Sequence, residues 1–196
     1  MIRTFGEGRF MANVRPYEHR DKDDVRRICL ETSGLPTKEE KDRKFLFYMY
    51  NDYYTEFEPE SCFVLTDGND VAQGYILCAK DFENYAENME KFYLPRILQL
   101  GHKYYFMAKY EMFLHGLYKK RFPAHLHIDI SPSFQGKGGG TALVTALKAH
   151  LKESGVKAVM LSAGEGNKRA LAFYKKNGFK TVSSILGCRI MAFETA

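Results

Sequence analysis

The stretch that most constrains this chain is a glycine-rich loop at 131–141, which reads S-P-S-F-Q-G-K-G-G-G-T. The alternating segment at 125–130 predicts a strand before the loop, and the segment at 141–154 predicts a helix after it. Such a loop turns backbone N–H groups inward, and the helix dipole adds positive potential at the same place. The sequence therefore predicts an anion site where a strand leads into a helix.

The spacing of the glycines excludes two common phosphate loops. A Walker loop requires G-x-x-x-x-G-K-[ST], whereas Lys137 lies early in this loop and is followed by glycine. The dinucleotide fingerprint requires G-x-G-x-x-G and an acidic residue about 20 positions later, and this loop does not match it. The pattern that remains is Q-x-x-G-x-G, formed by Gln135, Gly138 and Gly140.

The other periodicities predict an α/β fold with a mixed sheet. We expect a strand at 12–17, with Pro16 indicating a sheet edge or the end of the strand, and helices at 21–32 and 38–54. The turn D-G-N-D at 67–70 predicts a hairpin of strands, and Gly74 in its second strand indicates a bulge or a close backbone approach. From 124 onward the predicted order is β-α-β-α-β-β.

Residues 81–122 are helical in spacing and rich in aromatics, and Pro95 and Gly101 divide them into two or three helices. We interpret them as an insertion before the fourth core strand. Its apolar residues at helical spacing are Phe106, Tyr110, Phe113, Leu114 and Leu117. The insertion is either a packing element or a lid over the substrate.

Composition limits the classes of function. The 196 residues suffice for one domain with a full core, and we expect a single domain over 1–196. No apolar run approaches the roughly 20 residues of a membrane span, and the N-terminal MIRTFGEGRF lacks the apolar core of a secretory signal. The net charge of +5 is spread along the chain, so neither nucleic acid nor membrane is expected as a partner.

The four cysteines lie far apart and form no C-x-x-C pair, so a zinc site is not expected. They are Cys29, Cys62, Cys78 and Cys188. Each lies in an apolar segment, which predicts a buried free thiol and fits a reducing, cytoplasmic location.

The loop pattern, after a strand that ends in x-P, resembles the acyl-CoA loop of the GNAT N-acetyltransferase superfamily. The later segment N-K-R-A-L-A-F-Y-K-K-N-G-F at 167–179 resembles its second signature, N-x-x-A-x-x-F-Y-x-x-x-G-F. The resemblance covers most of the chain apart from the insertion and implies a mixed, mostly antiparallel sheet flanked by helices. With the insertion, H-L-H-I-D-I also resembles the acetyltransferase-like domain of O-GlcNAc hydrolases and its free-standing bacterial relatives.

The resemblance implies acetyl-CoA as co-substrate. Backbone N–H groups of the loop would hold its pyrophosphate, in Gln135, Gly136, Lys137, Gly138, Gly139, Gly140 and Thr141. The Lys137 side chain would contact a phosphate or remain solvated. Backbone groups of Ile128, Asp129 and Ile130 would pair with the acetyl-pantetheine arm like an added strand, and one N–H would polarise the thioester carbonyl. Asn167 would bind pantetheine or cap the next helix, and capping is the favoured physical role.

Tyr174 matches the family's tyrosine that faces the sulfur of CoA, where a phenol can act as general acid toward the leaving thiolate. The alternative is a core tyrosine. The acceptor amine must lose a proton, because a free lysine-type amine has a pKa of about 10. His125, His127 and Asp129 share a strand face beside the predicted acetyl site, and Asp129 and His127 are the candidate bases. The intact signatures make a metal unnecessary.

The acceptor is predicted as a primary amine of a small molecule or a peptide, which attacks the thioester directly in a ternary complex. Four tyrosines either pack on the sheet or line the acceptor pocket, namely Tyr48, Tyr50, Tyr53 and Tyr54. Three glutamates are expected in a solvated loop, where one could meet a cationic substrate, namely Glu56, Glu58 and Glu60. A homodimer is compatible with the sequence. The alternative function is a GNAT fold that binds an acyl-CoA or a partner without turnover.

Overall fold

Seven strands form one mixed sheet in the computed structural model, which describes residues 13–195. They are β1 (Asn13–Pro16), β2 (Cys62–Thr66), β3 (Ala72–Ala79), β4 (Ala124–Ile130), β5 (Ala158–Gly164), β6 (Lys180–Ile185) and β7 (Cys188–Glu194). Their order in space is β1-β2-β3-β4-β5-β7-β6, and every neighbouring pair is antiparallel except β4 and β5. The predicted mixed, mostly antiparallel sheet is confirmed, with β1 at one edge. Ala12 and the N-terminal MIRTFGEGRF lie outside the described residues.

Eight α-helices flank the sheet within residues 13–195. They are α1 (Lys22–Thr32), α2 (Glu40–Phe47), α3 (Tyr53–Phe57), α4 (Phe82–Asn88), α5 (Leu94–Leu100), α6 (His102–Gly116), α7 (Gly139–Glu153) and α8 (Lys168–Lys176). The first six pack on one face of the sheet, and α7 and α8 pack on the other. No helix in this part of the chain is both long enough and apolar enough to cross a membrane.

The β2–β3 hairpin forms as the D-G-N-D turn predicts. The Asp67 carboxylate accepts hydrogen bonds from the backbone N–H groups of Asn69 and Val71 at 2.9 and 3.1 Å. Gly74 allows β4 to come close, because a Cβ at this position would lie 2.9 Å from Cγ1 of Ile130. The β2–β3 register also shifts by one residue near this glycine. The close approach of β4 and the register shift are the two features that Gly74 predicted.

A π-helical turn at Tyr48–Asp52 joins α2 and α3 into the helix predicted at 38–54. The turn buries Asp52, which accepts two hydrogen bonds from the guanidinium of Arg26 at 3.0 and 2.8 Å. Tyr53 and Tyr54 are fully buried in the core between the helices and the sheet. Tyr48 and Tyr50 are half-buried.

The insertion lies before β4 and consists of α4, α5 and α6. A second π-helical turn, Met89–Tyr93, joins α4 to α5. Pro95 then occupies the first turn of α5, where an N–H would have no partner within the helix. Gly101, with φ of 133°, separates α5 from α6. The division by Pro95 and Gly101 follows the prediction.

The apolar residues that recur at helical spacing on the insertion are mostly exposed. Phe106, Phe113 and Leu117 are 68%, 56% and 49% exposed, and of that set Leu114 is buried. The face of α6 that packs on the protein is instead formed by Tyr104, Ala108, Met112, Leu114 and His115. Both sets recur at helical spacing, so periodicity could not show which one faces inward.

Two further expectations need correction. Glu58 is 4% exposed rather than solvated, because its carboxylate accepts hydrogen bonds from the Tyr53 hydroxyl and the Lys80 N–H at 2.7 and 2.9 Å. Burial raises the pKa of Glu58 despite these bonds. All four cysteines are free thiols, but Cys188 is half-buried where a buried position was expected.

Candidate active site

The glycine loop leaves β4 through a 3₁₀ turn at Pro132–Phe134. It then passes Gly136 and Gly138, whose φ angles are 78° and 88°. A residue with a Cβ would be strained at these angles, so glycine is required where the loop turns into α7. The Gln135 side-chain amide donates to the Ile130 carbonyl at 2.7 Å and ties the loop to the end of β4. α7 begins at Gly139, two residues earlier than predicted, so its first N–H groups belong to the loop.

Gly140 determines how closely α8 approaches the loop. A Cβ at Gly140 would lie 2.9 Å from two ring atoms of Phe173, so a larger residue would push α8 away. Gly139 is buried against Leu65. The Lys137 ammonium lies 5.3 Å from the ring centre of Phe134. Gly139 and Lys137 therefore shape the loop without lining the cavity beside it.

A cavity of about 550 Å³ lies between the loop, β4, α8 and the end of α1. Most residues predicted to hold acetyl-CoA line it, namely Ile128, Asp129, Ile130, Gln135, Gly136, Gly138, Gly140, Thr141, Asn167 and Tyr174. The structure thus brings the two signature segments together around one space, although Gln135 and Asn167 lie 32 positions apart in the sequence.

The strands β4 and β5 separate beside this cavity. They pair at Ala124–Val159 and His125–Met160, and their pairing ends there although both strands continue. The edge of 126–130 that faces β5 is therefore left without a strand partner in the described part of the chain. An open edge of this kind can pair with an extended ligand through backbone hydrogen bonds.

Asp129 lines the cavity at this open edge. Its Oδ2 accepts a hydrogen bond from the hydroxyl of the buried Tyr75 at 2.6 Å. Burial raises the pKa of Asp129 to about 6, against the lowering effect of hydrogen bonds from Tyr75 and Thr32. A carboxylate with a pKa this close to neutrality is suited to take up and release a proton.

Tyr174 lines the cavity from α8. Its ring packs on the rings of Phe173 and Phe179, with centroid distances of 5.4 and 5.5 Å. Burial, and after it the charge of Asp129, raises the pKa of Tyr174, so the phenol stays protonated at neutral pH. Its hydroxyl makes no hydrogen bond to any group within residues 13–195. The hydroxyl can therefore donate to a ligand in the cavity.

The two histidines on the same face of β4 pack beneath the insertion. His125 is 1% exposed, and its Nε2 lies 3.0 Å from the Tyr54 hydroxyl. The ring of His127 makes edge-to-face contacts with the rings of Tyr50 and Tyr54, at centroid distances of 5.0 and 5.2 Å. Burial lowers the pKa of His127 to about 3, so its ring is neutral and a weak base. Of the two candidate bases, Asp129 lines the cavity and His127 does not.

Asn167 caps α8, since its Oδ1 accepts a hydrogen bond from the Ala170 N–H at 3.0 Å. The favoured capping role is confirmed, and the residue also borders the cavity. Sequence reasoning missed Arg169 and Lys176, which line the cavity further along α8. Their spacing with Phe173 is i, i+4 and i+7, so one face of α8 carries all three, and this spacing was the available signal.

Glu31 and Thr32, at the end of α1, also line the cavity and were not predicted. The Glu31 carboxylate accepts hydrogen bonds from the Ser131 hydroxyl at 2.8 Å and from Arg27 at 3.0 Å. Because Glu31 and Ser131 are 100 positions apart, no local pattern could have joined them. No group of three or more histidine, cysteine, aspartate or glutamate side chains within 13–195 is arranged to hold a metal ion.

A family model described as Acetyltransferase (GNAT) family matches residues 27–179. Among solved structures, the crystal structure of SsHAT has a TM-score of 0.85 at 29% identity and covers 94% of this chain and 98% of that one. The PaiA N-acetyltransferase from Thermoplasma acidophilum in complex with coenzyme A has a TM-score of 0.59 and covers 93% and 98%. Its sequence identity of 14% means that this second likeness shows the fold alone.

Two curated proteins match shorter segments. Mycothiol acetyltransferase of Propionibacterium freudenreichii subsp. shermanii is 38% identical over 60 residues, which are 31% of this chain and 19% of that protein. An uncharacterised N-acetyltransferase of Methanocaldococcus jannaschii is 39% identical over 70 residues, which are 35% of this chain and 31% of that protein. The chain thus matches less than a third of the length of each relative.

Proposed function

The chain belongs to the GNAT acetyltransferase family, and on that premise we propose that it transfers an acetyl group from acetyl-CoA to a primary amine. The observation that carries the proposal is one cavity in which the glycine loop, the open edge of β4, Asp129 and Tyr174 meet. We assign the activity to a single domain over 1–196. We assign it to the cytoplasm, where free thiols such as the four found here persist.

The lining of the cavity fits acetyl-CoA. The loop at 135–141 supplies backbone N–H groups and the N-terminus of α7 for a pyrophosphate. Arg169 and Lys176 add positive charge on the facing side, which suits a polyphosphate ligand. The open edge at 126–130 supplies backbone donors and acceptors for the pantetheine arm. Acetyl-CoA supplies the activated acyl group, and the chain supplies the groups that orient it.

Asp129 and Tyr174 divide the proton transfers between them. Asp129, with its pKa near 6, accepts the proton that the amine loses as the new C–N bond forms. Tyr174, protonated at neutral pH, donates to the sulfur as the C–S bond breaks. The residues that line the cavity, among those described, include no cysteine to carry the acetyl group. We therefore propose that the amine attacks the thioester directly in a ternary complex, without an acetylated residue as intermediate.

Two measurements test the proposal in sequence. Acetyl-CoA and CoA should each raise the melting temperature, because both bind the folded state. Thiol release from acetyl-CoA should then increase with at least one amine from a panel of small amines, aminosugars and peptide N-termini. Failure of both CoA forms to stabilise the protein would refute the proposal. Stabilisation without turnover on the whole panel would favour a binding module on the same fold.

A further inference from the structure

Glu111 of α6 is a largely buried carboxylate without a cationic partner in the described part of the chain. Its side chain is 18% exposed, and its Oε1 accepts a hydrogen bond from the Ser162 hydroxyl at 3.0 Å. Two buried carboxylates elsewhere are paired with arginine, Asp21 with Arg15 and Asp52 with Arg26, whereas Glu58 and Asp129 are held by neutral donors. An unpaired charge in such a position is costly, and a cationic ligand would compensate it.

His115, one helical turn after Glu111, does not neutralise its carboxylate. His115 Nε2 lies 3.7 Å from the Glu111 carboxylate, too far for a hydrogen bond. Burial lowers the pKa of His115, although the charge of Glu111 acts in the opposite direction. Neither ring nitrogen of His115 has a hydrogen-bond partner, and the side chain is 2% exposed. The region around Glu111 thus carries negative charge and an unpaired polar ring.

The hydrogen bond from Ser162 places the Glu111 carboxylate beside the part of β5 that no longer pairs with β4. The strands last pair at His125–Met160, so His127 and Ser162 stand on opposite sides of the gap, two residues further along. Asp129 lies two residues beyond His127, roughly 7 Å away at a rise of about 3.3 Å per residue. Glu111 does not line the cavity at Asp129. Glu111 is therefore set back from the position where acetyl transfer is proposed.

We propose that Glu111 is a specificity residue of the acceptor site and binds a second positively charged group of the acceptor, while the reacting amine meets Asp129. The inference rests on the proposed acetyl transfer and assigns the acceptor to the class of diamines. The half-buried rings of Tyr50 and His127 stand beside the gap and offer faces for the aliphatic part of such a ligand. The insertion, through α6, then determines which amine is accepted.

Three five-carbon ligands distinguish this class, because they differ only in the group at one end. They are 1,5-diaminopentane, 1-aminopentane and 5-aminopentanoate, titrated calorimetrically into the protein with and without saturating CoA. The diamine should bind most tightly and the amino acid most weakly. Glu111→Gln keeps a hydrogen-bond acceptor for Ser162 and should weaken diamine binding roughly ten- to hundredfold, the range for a hydrogen bond to a charged group. Binding of 1-aminopentane should change little.

Two variants control for charge and for folding. Glu87→Gln removes the same charge from an exposed position on the insertion and should leave diamine binding unchanged. Glu111→Asp keeps the charge and should retain the preference for the diamine over 1-aminopentane. Equal binding of diamine and monoamine to the wild type would overturn the inference, as would equal losses in Glu111→Gln and Glu87→Gln. Titration of CoA alone tests the proposed function separately, since CoA binding without a diamine preference refutes only the role of Glu111.

Discussion

The two faces of the sheet at β4 are determined by different requirements, backbone geometry on one face and side-chain packing on the other. On the side of α7 and α8, the backbone sets the requirements: a positive φ at Gly138, a close approach at Gly140 and a helix cap at Asn167. On the side of the insertion, side chains set them, as where His125 meets Tyr54 in a fully buried contact. Backbone requirements admit few residue types, whereas packing requirements admit many.

This difference separates the part of the molecule that contains the two signature segments from the part that contains the insertion. The backbone-defined side faces the cavity assigned to acetyl-CoA, and both signature segments lie there. The packing-defined side carries Tyr50, His127 and Glu111, which no signature describes. Asp129 stands where the two sides meet, because it lies on the insertion face of β4 and yet lines the cavity. Substitutions on the two sides should therefore have separable effects.

The largest effect is expected from Asp129→Asn. Loss of a general base should lower kcat by roughly 10²–10⁴-fold. The affinity for acetyl-CoA should stay within about threefold, because asparagine keeps the backbone at the open edge. The melting temperature at pH 8 should not fall, since the substitution removes a buried charge and keeps an acceptor for Tyr75. Steady-state kinetics and a thermal melt check all three, and an unchanged kcat would exclude Asp129 as the base.

A smaller loss is expected from Tyr174→Phe on the other side of the cavity. The ring would keep its contacts with Phe173 and Phe179, and the hydrogen bond to the leaving sulfur would be lost. A hydrogen bond to a charged group corresponds to roughly a 10- to 100-fold change in rate. We expect the loss in kcat, with CoA dissociation nearly unchanged in a direct binding measurement. A loss confined to CoA affinity would show that Tyr174 only packs.

Tyr54→Phe tests the packing-defined side. It leaves His125 Nε2 without a partner in a fully buried position, which should lower the free energy of unfolding by about 1–3 kcal/mol. CoA affinity should not change, because Tyr54 lies away from the cavity. Urea unfolding gives the first quantity and titration the second, with the half-buried Tyr48→Phe as the matched control. A drop in CoA affinity comparable to the loss of stability would contradict the separation of the two sides.

The smallest change in kcat is expected when the pH is varied within about one unit of neutrality. Asp129 must be ionised to act as base, so kcat should fall tenfold per pH unit below about 6 and level off above it. Stability changes in the opposite sense. Folding raises the pKa of Asp129 from about 3.9 to about 6, so its contribution is fully present below pH 3.9 and is lost as pH rises through 6. In Asp129→Asn this part of the pH dependence of unfolding should disappear; its persistence would assign the titration to another group.

The sequence predicted the backbone-defined side well because its requirements appear directly as residue types. Glycine at 138 and 140 and asparagine at 167 occupy positions where φ, close approach or a cap demands them. The alternation of β4 correctly placed His127 and Asp129 on one face. It could not show that Asp129 alone of the two lines the cavity, because this depends on where the pairing of β4 with β5 ends.

The packing-defined side was harder to predict for a related reason. Helix α6 carries apolar residues on two stripes of the same period, and only the tertiary contacts decide that Met112 is buried while Phe113 is exposed. Glu58 was expected in solvent because the tyrosine that satisfies it, Tyr53, was itself ambiguous in sequence. Its second donor, the Lys80 N–H, lies 22 positions away and leaves no local pattern.

The position of the insertion in the sheet has a consequence for how such chains diversify. Ala79 and His125 are partners in the β3–β4 register, so residues 80–123 leave and re-enter the sheet at one place, as an enlarged hairpin loop. The entropy of closing a loop grows only with the logarithm of its length, so this segment can be lengthened or exchanged at little cost to the fold. A graft that still covers Tyr54 and His125 would keep the sheet and the glycine loop, and under the role proposed for Glu111 it would change the amine that is accepted.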